Sequence, residues 1–136
     1  MKSPESPHGH CWRLGWPLAL VAAILSYPGS PEPLLPPSGL YLEDKVIHVL
    51  VFGLLATAWL RALPAAMGVR AALIATALTI AAGAIDELRQ AFLPHRSFEV
   101  ADFLSDALGA VVATVCYRSI PLYRRTLERP LPGLRR

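Results

Sequence analysis

The chain has 136 residues, of which 54% are hydrophobic and 17% charged, with a formal net charge of +3. Water-soluble domains hold about a quarter charged residues; with a mean hydropathy of +0.42, this composition excludes an ordinary aqueous globule and predicts a small polytopic membrane protein. The positive balance does not point to nucleic acid, because Lys and Arg gather at the ends of apolar runs and not along a polar, aromatic surface.

Residues 1–11 are polar and read as a short disordered tail. The first apolar run, 12–27 (WRLGWPLALVAAILSY), is short for a span, since crossing a bilayer takes roughly 20 apolar residues. Trp12, Trp16 and Tyr27 suit the membrane interface, and Pro17 suits the first turn of a helix. A cleavable signal peptide is the rival reading, but Ser26-Tyr27-Pro28 is a poor cleavage site, so a retained helix is expected. Residues 28–43 contain Pro28, Pro31, Pro33, Pro36 and Pro37, which exclude a regular helix or central strand and predict an extended loop along the membrane surface.

A second helix is expected over 44–61, with Asp44 at its N-cap or first turn. Pro64 and Gly68 mark a turn. A third helix is expected over 69–90, stopped by Pro94, and a fourth over 100–120, stopped by Pro121. Residues 121–136 read as a basic tail. The expected fold is all-α: an antiparallel bundle of four transmembrane helices over residues 12–120.

The tails and the 61–70 turn hold all but three of the 13 Lys and Arg residues, the exceptions being Lys45, Arg89 and Arg96. Those three lie on the side that also carries all of the 10 Asp and Glu residues except Glu5 and Glu128. The positive-inside rule therefore places both termini in the cytoplasm and residues 86–106 outside. Cys11 and Cys116 fall toward the cytoplasm, form no CxxC and are expected as reduced thiols.

The segment 86–106 (DELRQAFLPHRSFEVADFLSD) is dense in polar groups yet lies between two apolar runs. Ionisable groups that close to hydrocarbon are costly and are functional candidates by default. On the second helix, Asp44 and His48 are i,i+4 neighbours and Lys45 and His48 are i,i+3. On the third, Glu87 and Gln90 share a face. On the fourth, Asp102, Asp106 and Gly109 form one stripe. Topology brings all three sets to the outer surface as a polar pocket.

Each group also has a structural reading. Asp44 is an N-cap, and Lys45 snorkels to head groups. His48 bonds Glu87 or Asp102 to fix register, and Glu87 and Asp102 form a network with Arg96. Asp86, Arg89, His95 and Glu99 read as a solvated rim. Gly83, Gly109 and Ala113 read as close-packing positions. Ser97 as a nucleophile has little to recommend it, since one Ser near a His is no triad.

In order, D-K-x-x-H (Asp44, Lys45, His48), E-x-x-Q (Glu87, Gln90), R-S-F (Arg96, Ser97, Phe98) and D-x-x-x-[ND]-x-x-G (Asp102, Asp106, Gly109) resemble the VanZ-like membrane proteins across residues 44–113. Asp106 stands where that family more often has Asn, which adds a negative charge. The resemblance implies a small integral protein of the bacterial cytoplasmic membrane. The family's namesake is linked to low-level teicoplanin resistance, and no settled biochemical activity is implied.

The favoured reading is a protein that binds or handles an anionic envelope lipid or glycan precursor. Lys45 and Arg96 would hold phosphate, while Asp44, His48, Glu87, Gln90, Ser97, Asp102 and Asp106 complete the ligand-binding set. It needs no cofactor, and its partners are membrane lipids. An enzyme acting on a lipid phosphate is the first alternative, with His48, Glu87 and Asp102 as catalytic candidates and a divalent metal among His48, Glu87, Asp102 and Asp106 as one form of it. A non-catalytic membrane scaffold is the second. Oligomeric state is not legible.

Overall fold

The computed structural model describes residues 7–27, 41–94 and 96–128. Its elements are five α-helices: α1 (Pro7–Ser26), α2 (Tyr41–Ala62), α3 (Val69–Gln90), α4 (Val100–Ser119) and α5 (Pro121–Glu128), with a 3-10 turn at Ala65–Met67 between α2 and α3. Three of them are long and apolar enough to cross a membrane: Leu42–Ala62, Val69–Gln90 and Val100–Ser119. The 22 residues of α3 would rise about 33 Å, close to the thickness of a hydrocarbon core. The apolar part of α1, Arg13–Ser26, is shorter.

Four sequence expectations change, one being the start of α2, which takes in Tyr41–Glu43 from the stretch expected as loop, beyond the reach of the last proline at Pro37. The first helix begins at Pro7 and not at Trp12, because proline suits a first helical turn and no later residue breaks the helix. Pro17 consequently falls inside α1 and is fully buried. A mid-helix proline is tolerated where neighbouring helices re-satisfy the freed backbone. The start of the basic tail is also helical: Pro121 ends α4 and opens α5. Tyr123 on α5 lies 3.3 Å from the Thr57 hydroxyl. Residues 1–6, most of the Pro-rich loop, His95 and 129–136 lie outside the described residues.

The packing is inverted relative to a soluble protein. Small or short residues make up much of the interior, with Ala56, Ala75, Ala110, Thr57 and Thr79 buried beside Phe52, Leu55 and Leu60. Large apolar residues such as Leu50, Leu54, Leu73, Leu104 and Leu108 face outward. This pattern suits a lipid surround, where helices associate by close backbone approach. A Cβ added at Gly109 would fall on the Val49 carbonyl and 2.9 Å from the Val49 Cα. At Gly53 a Cβ would lie 3.3 Å from the Gly109 carbonyl oxygen. The two glycines thus bring α2 and α4 into near-backbone contact.

This close contact sets the register. Lys45 meets Asp102, His48 meets Asp106 and Gly53 meets Gly109, so α2 and α4 lie side by side and run in the same direction. Helix α3 runs oppositely: Ala82 packs with Phe52 and Leu55 midway along α2, and Ala72 and Ala75, earlier in α3, pack with Leu60 near the C-terminal end of α2. Between α3 and α4, Thr76 donates to Thr114 (3.0 Å). Thr57 and Thr79 return their hydroxyls to carbonyls one turn back, which removes the cost of burying them.

Candidate functional site

The register delivers polar side chains from α2, α3 and α4 to one end of the helices. Among the described residues, every buried ionisable side chain lies there: Asp86, Glu87, Asp102 and Asp106. Each sits within about two turns of a helix end.

Lys45 is surrounded by acids. Its ammonium donates to Asp102, to Glu99 (3.1 Å) and to Asp44 (3.3 Å). Asp102 is buried while Asp44 and Glu99 are exposed, so the lysine pulls one interior carboxylate and two rim carboxylates together. Asp44 lies in the first turn of α2, three residues after its start at Tyr41. Lys45 is therefore occupied by carboxylates rather than presented to an anion.

His48 bonds neither residue expected of it. Its Nδ1 lies at hydrogen-bond distance, 2.8 Å, from Asp106 Oδ1, and its Nε2 lies 3.9 Å from Asp102 Oδ2. The reason is the parallel register of α2 and α4: residues 45 and 48 on one face meet 102 and 106 on the other. The His48 ring also stacks on Phe52 one turn deeper, with centroids 6.2 Å apart and planes 4° apart. Asp106 Oδ2 rests against α3 at Gly83, where an added Cβ would stand 2.8 Å away.

Glu87 is fully buried, and its Oε2 accepts the backbone N–H of Glu99 (3.0 Å). Glu99 is the residue immediately before α4, and its carbonyl receives the N–H of Asp102. One carboxylate oxygen thus ties the end of α3 to the start of α4. Among the described residues, Glu87 Oε1 and Asp106 Oδ2 are buried without a hydrogen-bond partner.

The connecting segment forms a rim. Arg96 is exposed and donates to Gln90 Oε1 (3.1 Å). Ser97 and Phe98 are exposed on the extended stretch that leads into α4. Asp86 and Arg89, read from sequence as solvated rim, are a structural pair. Asp86 is buried and accepts from Arg89 (2.8 Å) and from Gln90 (2.9 Å). Arg89 also donates to the Tyr27 carbonyl (2.8 Å), tying the end of α1 to α3. The signal was present in the sequence, as Asp86, Arg89 and Gln90 are i,i+3 and i,i+4 neighbours. What the sequence does not show is which face of α3 turns inward.

All nine residues of the expected ligand set lie at this end of the molecule. His48, Glu87 and Asp106 each bring one donor atom within 4.8 Å of the other two, and so do Asp44, His48 and Asp102. Carboxylate and imidazole groups at that spacing can share a proton or accept hydroxyls, or hold a divalent cation.

The family model described as VanZ/LLP1 matches residues 14–122. The chain belongs to the VanZ/LLP1 family. That match runs from within α1 to the start of α5, well beyond the 44–113 stretch that carries the sequence resemblance. No curated protein and no solved structure gives a significant match. Family membership and three span-length apolar helices together make this a VanZ/LLP1 protein of multi-pass membrane type.

Proposed function

We propose that this VanZ/LLP1 protein spans the bacterial cytoplasmic membrane as an antiparallel bundle of four transmembrane helices, α1 to α4, with both termini cytoplasmic. On this reading its polar end faces outward and takes the head group of an anionic envelope lipid or glycan precursor. A contribution to low-level glycopeptide resistance, through that precursor, belongs to the same proposal. The orientation is supported by the Lys and Arg residues concentrated in the tails and the 61–70 turn.

The observation that carries the reading is the burial of four carboxylates at one end of an interior otherwise made of apolar residues and threonines. Polar contacts between helices can fix register; four buried acids, two with an oxygen that has no hydrogen-bond partner among the described residues, are costly to keep for that purpose alone. The ligand roles differ from the sequence expectation. Lys45 is held by three carboxylates; Arg96, which bonds Gln90 at the exposed rim, suits phosphate by its planar fork. Glu87, Asp102 and Asp106 suit hydroxyls or a bridging cation.

A structural clamp is the second reading. It is favoured by the tie from Glu87 to the N–H of Glu99 and by the Lys45–Asp102 and His48–Asp106 pairs, which join three helices. Mass spectrometry of lipids retained through purification separates the two. Ligand handling predicts a phosphate-bearing envelope lipid enriched with wild type and lost in Arg96→Ala at equal protein yield. Identical lipid profiles at equal yield would leave only the clamp.

A further inference from the structure

The acids at the polar end outnumber the cations available to balance them. Asp102 is balanced by Lys45, and Asp86 by Arg89. Asp106 has His48, which is neutral unless protonated. Among the described residues, Glu87 is paired with no cation, and the partner of its carboxylate is the backbone N–H of Glu99. Glu87 and Asp106 are 0% and 1% exposed, and each buries an oxygen with no hydrogen-bond partner. Two buried carboxylates beside one imidazole are costly to keep ionised unless something positive joins them.

The geometry points to a divalent cation held by His48, Glu87 and Asp106. One donor atom of each lies within 4.8 Å of the others. Ligands about 2.0–2.2 Å from a common metal stand about 3–4 Å apart, so a small inward movement completes the site. The trio is built from three helices locked in register. Asp106 Oδ2 lies against Gly83, one turn from Glu87 on α3, which places the unpaired oxygen on the face of α3 that carries the second ligand. One nitrogen and two carboxylates suit Mn²⁺ or Zn²⁺ better than the all-oxygen cages of Ca²⁺. The other trio, Asp44, His48 and Asp102, is the poorer candidate, since Lys45 already bonds both of its carboxylates.

Three protein ligands leave coordination positions open, and a phosphate oxygen of the bound head group would fill one. That last step rests on the function proposed above, whereas the cation site stands without it. Such a metal explains how an acidic cluster accepts an anionic head group.

The test uses the full chain in nanodiscs, stripped with chelator and titrated with Mn²⁺ or Zn²⁺ alone. Wild type binds one equivalent and gains thermal stability on binding. Glu87→Gln and Asp106→Asn, each checked for a monodisperse elution profile, lose affinity by about tenfold or more and lose the thermal shift; Leu122→Ala on exposed α5 keeps both. Wild type that takes up no more metal than empty nanodiscs overturns the proposal. So does affinity retained in Glu87→Gln, or lost in Asp44→Asn with Glu87→Gln unaffected. Should the function proposed above fail instead, metal would still bind while no phosphate-bearing lipid is retained.

Discussion

His48 and Asp106, 58 residues apart in the chain, meet at 2.8 Å between Nδ1 and Oδ1. The contact exists because α2 and α4 run parallel at near-backbone separation, and it fixes how the two helices slide. Removing the imidazole strands a carboxylate that is 1% exposed. His48→Ala is therefore expected to destabilise the protein strongly, and Asp106→Asn in the same chain to recover part of the loss. A double-mutant cycle on thermal stability in detergent should give a coupling of about 0.5–3 kcal/mol. Additive effects would mean that the pair is not a unit.

Lys45 and Asp102 allow a sharper comparison. Asp102 is buried and Lys45 is its cation. Lys45→Met leaves an interior charge uncompensated, at a cost of about 3–5 kcal/mol. Lys45→Met combined with Asp102→Leu removes both charges and should approach wild-type stability. The check is the same melting experiment, and a double variant no better than Lys45→Met would refute the pairing.

Gly109 should tolerate nothing larger. A side chain there meets the backbone of Val49, which cannot yield as a flexible side chain does. Gly109→Ala is expected to cost about 1–3 kcal/mol or more and to lower folded yield. Gly53→Ala, whose nearest contact would be at 3.3 Å, should be milder. Measured by fluorescence-detected size exclusion, equal behaviour of the two would argue against the close α2–α4 contact.

The sequence made the all-helical character and the grouping of polar residues legible because both rest on local pattern. Apolar runs of span length, stopped by Pro64, Pro94 and Pro121, mark the helices from 44 onward. The i,i+3 and i,i+4 spacing of Asp44, Lys45, His48, Glu87 and Gln90 places them at helix ends. Partner choice was not legible. His48 pairs with Asp106 because of an interhelical register fixed by Gly53 and Gly109, and no local spacing encodes that. Asp86 was misjudged because the inward face of α3 is set by packing among alanines, which have little periodic signal against other apolar residues. The extension of α1 to Pro7 was missed because its first turn is polar.

Topology provides an independent check. In a chain with Cys11→Ser and Cys116→Ser, a single cysteine at Ser97→Cys should react with a membrane-impermeant maleimide added to whole cells. Met67→Cys, in the turn between α2 and α3, should react only after the membrane is opened. The reverse pattern would place the polar end in the cytosol and remove access to an outward-facing envelope lipid.

The most direct measurement is a titration of polyprenyl phosphate into the purified protein in nanodiscs, read as saturable binding for wild type, Arg96→Lys, Arg96→Ala and Leu122→Ala. Head-group recognition at the polar end predicts saturable binding by wild type and Leu122→Ala, weakened in Arg96→Lys, where charge remains but the fork is gone, and lost in Arg96→Ala. Equal binding by all four proteins, or none by any, would contradict it.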